Sequence, residues 1–363
     1  MKKSLILTTL ILLSIGLFSC NKEDDIIDTD DDSTIIQQEP TAEGIYKPLM
    51  RISQISGDYF NETWNWSTDN LTAICGNHIR YDLSYEGERL NQVEVNGTQE
   101  HNIYDDIINM TTNYVYNGTL QTQIIQKIND VDIATFTVQH NANNKINDVD
   151  IDIDTNFLSE YIEDIIENLI ENRTSIKLNT TKNGEKYNVS NSQANSHLEW
   201  TGNNLTQLSF TIAGDIIITV GEIQELLNTI GSEHLGNLAE IADKINLLNP
   251  DRKIPITVGL HDTIDYTFDN KNNPYYGLLY YQLNAKERGL QGLSQNNILS
   301  YSSNGVFYVS FQIEILPGIS GEPHTYSIPM LPINRTYKYQ YNNKGFPTKI
   351  TDNFGSTYIT YSE

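Results

Sequence analysis

Trp64-Asn65-Trp66-Ser67-Thr68-Asp69-Asn70-Leu71-Thr72-Ala73-Ile74 holds the pattern on which the reading of this chain turns. Two aromatic residues spaced i, i+2 run into a polar stretch; an apolar residue follows, and another comes three positions later. Period-2 spacing puts both aromatics on one face of a strand. The polar stretch supplies residues that tolerate the reversal a hairpin needs. The unit therefore reads as a β-hairpin.

Working outward, the same unit recurs along the chain. Leu83 and Tyr85 lead to Leu90 and Val93, and Leu198 and Trp200 lead to Leu205 and Leu208. With one extra turn residue, Val138 and His140 lead to Ile146 and Val149, and Tyr339 and Tyr341 lead to Pro347 and Ile350. Looser copies begin at Tyr114-Val115-Tyr116 and at Tyr266-Thr267-Phe268. Gly87, Gly118, Asn203-Asn204 and Asn343-Lys344-Gly345 mark the turns. A literal duplication accompanies the repeat: Lys127-Ile128-Asn129-Asp130-Val131-Asp132-Ile133 returns at residues 145–151, which predicts two strands of like direction separated by the arm 135–140. The expected fold class is mainly β, an antiparallel meander of hairpins forming a barrel-like or strongly twisted sheet.

Two helical insertions are expected to interrupt it. Residues 157–173 place Ile162, Ile165, Ile166, Leu169 and Ile170 on one stripe, with Glu160, Glu163, Asp164, Glu167 and Glu171 elsewhere. Residues 222–248 read as a helical hairpin broken at Gly231 and Gly236 and stopped by Pro250. Such helices would cover an open face or one end of the sheet.

The first forty residues have another character. Lys2 and Lys3 precede an apolar run at residues 5–17, too short at about 1.5 Å per residue to cross a hydrocarbon core of about 30 Å. It reads as the apolar region of a signal peptide covering residues 1–19. The run ends in Leu17-Phe18-Ser19-Cys20, which resembles a bacterial lipobox. That resemblance implies that Cys20 becomes the first mature residue and carries acyl chains, and several chains together anchor stably where one does not. Residues 20–42 then form a lipidated cysteine and an acidic tether: Glu23, Asp24, Asp25, Asp28, Asp30, Asp31 and Asp32 cannot collapse together. The β-rich domain spans 43–363.

Charge narrows the partners. The formal net charge of −24 becomes −26 once Lys2 and Lys3 leave with the signal peptide. Such a surface repels phosphates, which argues against nucleic acid. Cys75 has no disulfide partner if Cys20 is acylated, and is expected to be a small buried residue.

Tyr266-Thr267-Phe268-Asp269-Asn270-Lys271-Asn272-Asn273-Pro274-Tyr275-Tyr276-Gly277, followed by Leu293-Ser294-Gln295-Asn296-Asn297, resembles a Bacteroidota lipoprotein family whose domain is described as porin-like. Residues 337–350 are similar to that family's closing hairpin. The resemblance runs from about residue 45 to the C-terminus and is sharpest over 268–277. It implies a twisted, barrel-like antiparallel sheet on an envelope lipoprotein, and it implies no reaction. The acidic run after Cys20 also resembles the surface-export signal of lipoproteins in that phylum, which implies an outer-membrane location facing outward. The strands lack the sustained outward apolar band of a membrane-spanning barrel, so the sheet should stand in water.

Reactive signatures are missing. No His-Glu-x-x-His, nucleophile elbow, phosphate loop, dinucleotide fingerprint or Cys-x-x-Cys pair occurs. His78, His101, His140, His197, His234, His261 and His324 show no close ligand spacing. Asp148, Asp150, Asp152 and Asp154 alternate with Val149, Ile151 and Ile153, so a strand would present all four carboxylates on one face. That row suits calcium, although an EF-hand loop's glycine and late Glu are absent; a solvated or edge face is the competing reading. Trp64 and Trp66, and Tyr275 and Tyr276, could stack on sugar rings, or could serve packing in the repeat. Asp32-Ser33-Thr34 and Asp262-Thr263-Ile264 fit a short O-glycosylation pattern. The expectation is a non-catalytic lipoprotein binding an extracellular glycan or protein through loops at one end of the sheet. The alternatives are an assembly partner of an outer-membrane protein, or a glycan-active hydrolase whose acids converge only in space.

Overall fold

The protein's structure, a computed structural model, describes residues 43–57, 61–77, 79–98, 107–154, 190–221, 224, 249–278, 291–311, 314–316, 319–320, 324–330 and 332–362. Its first hairpins use β1 (Arg51–Gly57), β2 (Asn61–Ser67), β3 (Asn70–Cys75), β4 (Ile79–Glu86), β5 (Arg89–Thr98), β6 (Ile107–Asn117) and β7 (Leu120–Ile128). They continue through β8 (Val131–His140), β9 (Ile146–Ile153), β10 (Ser190–Thr201), β11 (Asn204–Thr219), β12 (Lys253–Asn272) and β13 (Asn296–Phe311). A small separate pair, β14 (Glu314–Leu316) and β15 (Ile319–Ser320), precedes β16 (His324–Pro329), β17 (Ile333–Thr336), β18 (Lys338–Tyr341), β19 (Pro347–Asp352) and β20 (Gly355–Ser362).

Every pairing in the main sheet is antiparallel, as the meander predicts. From β1 to β13 each strand pairs with the next in sequence. β13 then pairs with both β16 and β17, and Tyr337 bridges to β18 by donating its N–H to the Leu299 carbonyl at 2.8 Å. β18 pairs with β19, β19 with β20, and β20 with β1. Among the described residues the sheet has eighteen strands, and β16, β17 and β18 run end to end as one, so the barrel has sixteen positions and is nearly closed. Its narrowest joins are β1 against β2 and β3 against β4, with three residue pairs each.

The hairpin unit has a geometric cause. In the first repeat Trp66 faces Leu71 and Trp64 faces Ile74, with a register shift between Asn65 and Trp66. Shifts at the same place follow Ser84, Val115, Gln139, Glu199 and Gln340. Each is a β-bulge, two residues opposite one, and this turns the expected i, i+2 spacing after the turn into i, i+3. The second aromatic then reaches across to the previous hairpin. Tyr85 donates its hydroxyl to the Leu71 carbonyl (2.7 Å), Tyr116 to that of Leu90 (2.8 Å) and Tyr361 to that of Pro347 (2.7 Å). Trp66 and Trp200 donate their indole N–H to the carbonyls of Ile52 (2.7 Å) and Ile146 (2.6 Å). On the outer side Thr72, Thr122, Thr206 and Thr348 donate across the bulge to the carbonyls of Asn65, Val115, Glu199 and Gln340.

The two faces differ sharply. Inward residues such as Ile52, Ile55, Leu71, Ile124, Val149, Leu198, Leu205 and Ile216 join one contiguous buried cluster. Outward residues are polar, for example Asn61, Thr63 and Asn65 on β2, Glu94 and Asn96 on β5, and Asn195 and Glu199 on β10. A round barrel of sixteen strands would leave a channel. Here side chains and two chain segments fill the tight-turn end.

Several expectations need correction. The two copies of the seven-residue duplication do not lie on strands of like direction. The first straddles the β7–β8 turn, where Asn129 and Asp130 both have positive φ (50° and 63°), the geometry of a type I′ turn. The second runs from Lys145 into β9, because Asn144 (φ 58°) has already supplied the reversal. Identical residues thus fold two ways, set by their neighbours. Tyr266-Thr267-Phe268 leads into no tight hairpin; β12 continues to Asn272 and the chain crosses the barrel end before β13. At the β10–β11 turn the positive φ belongs to Gly202, not to Asn203 or Asn204. Cys75 is half-buried beside Arg80 on the outer side, not a core residue. Among the described residues the helical positions are the short Gln291–Leu293 turn and Val220, Gly221 and Gln224; the helices expected at 157–173 and 222–248 otherwise lie outside the described residues.

Candidate functional site

Two segments cross the tight-turn end. Residues 43–49 enter it through Glu43, whose N–H donates to the Thr119 carbonyl at 3.3 Å, and Gly44, whose carbonyl accepts from the Leu90 N–H at 2.7 Å. Gly44 has φ 76°, and a Cβ there would stand 2.2 Å from the Tyr116 hydroxyl, so only glycine fits. The Glu43 carboxylate meets His140 Nε2 at 2.9 Å and accepts the Gln121 N–H. The second segment, 273–278, lies against the first: Tyr46 donates its hydroxyl to the Pro274 carbonyl at 2.6 Å.

The stretch that carries the family resemblance builds this plug. Asn273, 1% exposed, donates Nδ2 to the carbonyls of Gln291 (2.5 Å) and Ser294 (2.7 Å), and its Oδ1 accepts the Tyr275 N–H (3.0 Å). The Asp269 carboxylate accepts from the Tyr341 hydroxyl, from Asn297 Nδ2 and its N–H (both 3.0 Å), and from the Lys271 N–H (3.0 Å). Burial pushes Asp269 above the usual carboxylate range, and those hydrogen bonds pull it back. Asn296 and Asn204 exchange bonds at 3.0 Å, and Ser294 Oγ accepts the Leu205 N–H at 3.1 Å. The motif is thus a polar clamp between plug and wall.

Of the aromatic candidates, Tyr275 and Tyr276 belong to that plug, and Trp64 and Trp66 are on the strand β2. Trp64, Tyr275 and Tyr276 are buried, and Trp64 sits 6.1 Å from Tyr275, centroid to centroid. Trp66 is half-buried, 5.7 Å from Tyr46 and 5.5 Å below the Arg51 guanidinium. These rings pack within the barrel end rather than forming a platform in water. Burial raises the Tyr46 and Tyr339 hydroxyls well above their ordinary value, and holds Tyr301 up at about 12, with Asp352 adding to it.

The acidic row takes the outward face of β9. Asp148 accepts from His197 Nδ1 at 2.7 Å, Asp150 accepts from Gln139 Nε2 at 2.9 Å, and Asp152 and Asp154 are exposed. Among the described residues no group of three or more His, Cys, Asp or Glu is gathered as metal ligands would be. Ser33 lies outside the described residues. At the other glycosylation pattern Thr263 faces outward, while Asp262 and Ile264 are buried, so an enzyme reading the folded wall would not meet the full motif.

Asp262 itself went unremarked by motif reasoning. It is 0% exposed on the inward face of β12, in line with Ile254, Ile256, Val258, Leu260 and Ile264. That parity is the signal that finds it: an acid on an apolar strand face. Ser303 Oγ lies 2.9 and 2.8 Å from its two oxygens. Desolvation raises its pKa, opposed by Ser303 and by the Thr263 and Asn304 amides. Between its unfolded and folded pKa the native state binds the extra proton, so stability from this group falls as pH rises through that window and returns as pH falls. Asp262→Asn should therefore gain stability relative to the parent chain as pH rises above about 4, the ordinary carboxylate value. Urea melts across that range check it; a constant difference between the two proteins would contradict it.

No family model matches the chain, and no curated protein matches it. Among solved structures it is similar to a porin-like protein from Bacteroides vulgatus ATCC 8482, over 86% of this chain and 99% of that one, with 8% identity and a TM-score of 0.32. The barrel described above rests on its own strand pairings.

Proposed function

We propose that the chain is a lipid-anchored envelope protein, held on the outer membrane through acyl chains on Cys20 and facing outward. Its work is non-catalytic binding of an extracellular glycan or partner protein. The observation that supports this most is the polarity of the barrel wall. A barrel in a bilayer needs an outward apolar band about 25 Å tall. The described wall instead turns mostly Asn, Thr, Asp, Glu and His outward, with scattered apolar residues such as Val115 and Ile217 among them, and packs most of its apolar side chains inside. Such a wall belongs in water, and a tight-turn end filled by side chains and two chain segments does not suit a pore. Attachment then falls to the lipobox cysteine, and function to recognition. The row Asp148, Asp150, Asp152 and Asp154 remains the place a calcium ion would be sought.

The test uses the mature chain with Cys20→Ala on a glycan array and against purified envelope proteins. Saturable binding to a defined subset, lost on heat denaturation, is the expected result. A flat response in both formats would overturn the reading, and turnover of a bound glycan would replace it with a hydrolase.

A further inference from the structure

Strand β7 breaks the repeat twice. The position held by Leu71, Leu90, Ile146, Leu205 and Pro347 in sister hairpins is Gln121 here, opposite Tyr116. Five residues on, where three of the sisters carry Val95, Ile151 and Phe210 and the others Gly76 and Asp352, stands Gln126. Both face inward and are buried, at 1% and 0% exposure. Gln121 Nε2 has no hydrogen-bond partner, and at Gln126 both Oε1 and Nε2 lack one. Among the buried side-chain amides of the described residues, Gln126 alone leaves both its oxygen and its nitrogen unpaired.

An amide buried this way costs free energy that a leucine or methionine would not, so its presence needs a partner. The space around it is consistent with one. Gln126 is flanked in register by Thr112 on β6 and Ala134 on β8, two side chains smaller than leucine or isoleucine. Beyond them in the same row stand Val93 and Ile153. No charged side chain sits in this row, and the acidic molecule disfavours an anion. The amide offers a donor and an acceptor side by side, so its complement carries an acceptor and a donor side by side.

We propose that Gln126, between Thr112 and Ala134, forms an internal site for a small neutral ligand with adjacent hydroxyls, the vicinal diol of a sugar. The site deepens the glycan arm of the function above and rests on it. Local rules broken inside a consistent fold are where binding sites are found.

The experiment measures melting of the mature Cys20→Ala chain with and without glucose, galactose, mannose and N-acetylglucosamine. Gln126→Met and Gln121→Met are made in the same background. One sugar should raise Tm saturably in the parent and in Gln121→Met but not in Gln126→Met. Without sugar, Gln126→Met should melt about 2–4 °C higher than the parent, because it removes an unpaired amide. An equal sugar response in Gln126→Met overturns the proposal. So does a lower melting point for Gln126→Met without sugar, which would mean that the amide is satisfied by the protein or by bound water. If no sugar shifts the parent while array binding persists, this site falls and the binding function stands; if both fail, both fall.

Discussion

Asn273→Ala should destabilise the domain by about 3–5 kcal/mol, since it strands two buried carbonyls and one buried amide at about 1–3 kcal/mol each, with some relaxation. The side chain is nearly inaccessible and makes three hydrogen bonds within the plug, two to the 291–294 turn and one back to Tyr275. Without it the turn and the Pro274 segment lose their common tie, and Tyr46, whose hydroxyl is bound to the Pro274 carbonyl, loses its seat. Asn143→Ala is the control: that residue is exposed in the β8–β9 turn, and its loss should stay within about 0.5 kcal/mol. Urea midpoints of the two variants decide it. If Asn273→Ala unfolded at the parent's midpoint, the polar clamp would not be what holds the plug.

Cys20→Ala should move the protein from the membrane fraction to the soluble fraction without detergent. The expectation follows from the proposed anchor and the polar wall together. Each buried CH₂ of an acyl chain contributes about 0.8 kcal/mol, so two or three chains hold firmly and none hold nothing. The wall contributes no compensating apolar band. Fractionation after a high-salt wash, followed by palmitate labelling of the parent, reads the outcome. A Cys20→Ala chain that still sediments with membranes would contradict both the anchor and the reading of the wall.

The strand-and-hairpin plan was legible because it depends on local spacing. Aromatics at i, i+2 and apolars at i, i+3 are two sides of one bulged hairpin, and the threonine after the first apolar, as in Leu71-Thr72 and Leu205-Thr206, is a further mark that had gone unread. What spacing could not convey was context. The repeated heptapeptide turns in one place and runs straight in another, because Asn144 reverses the chain before its second copy. The tryptophans and tyrosines offered as sugar platforms occupy packing slots, and choosing between those roles required knowing that Tyr46 and Tyr275, on the segments 43–49 and 273–278, pack against Trp66 and Trp64. Asp262 and Gln126 were visible as polar residues on apolar parity, once the inward face of each strand was known. Long-range closure between Arg51 and Ser362 left no mark in either segment.

That closure bears on how the molecule can assemble. From β1 to β13 each strand finds its partner next in sequence, so hairpins can form one upon another while most new pairings close a short stretch of chain, the links before β10, β12 and β13 being longer. The join of β1 to β20 is different in kind: Ser362 and Arg51 meet across 311 residues. This single seam carries the long-range entropic cost, and its two strands are the edges that stand open to a neighbouring chain until the last step is taken.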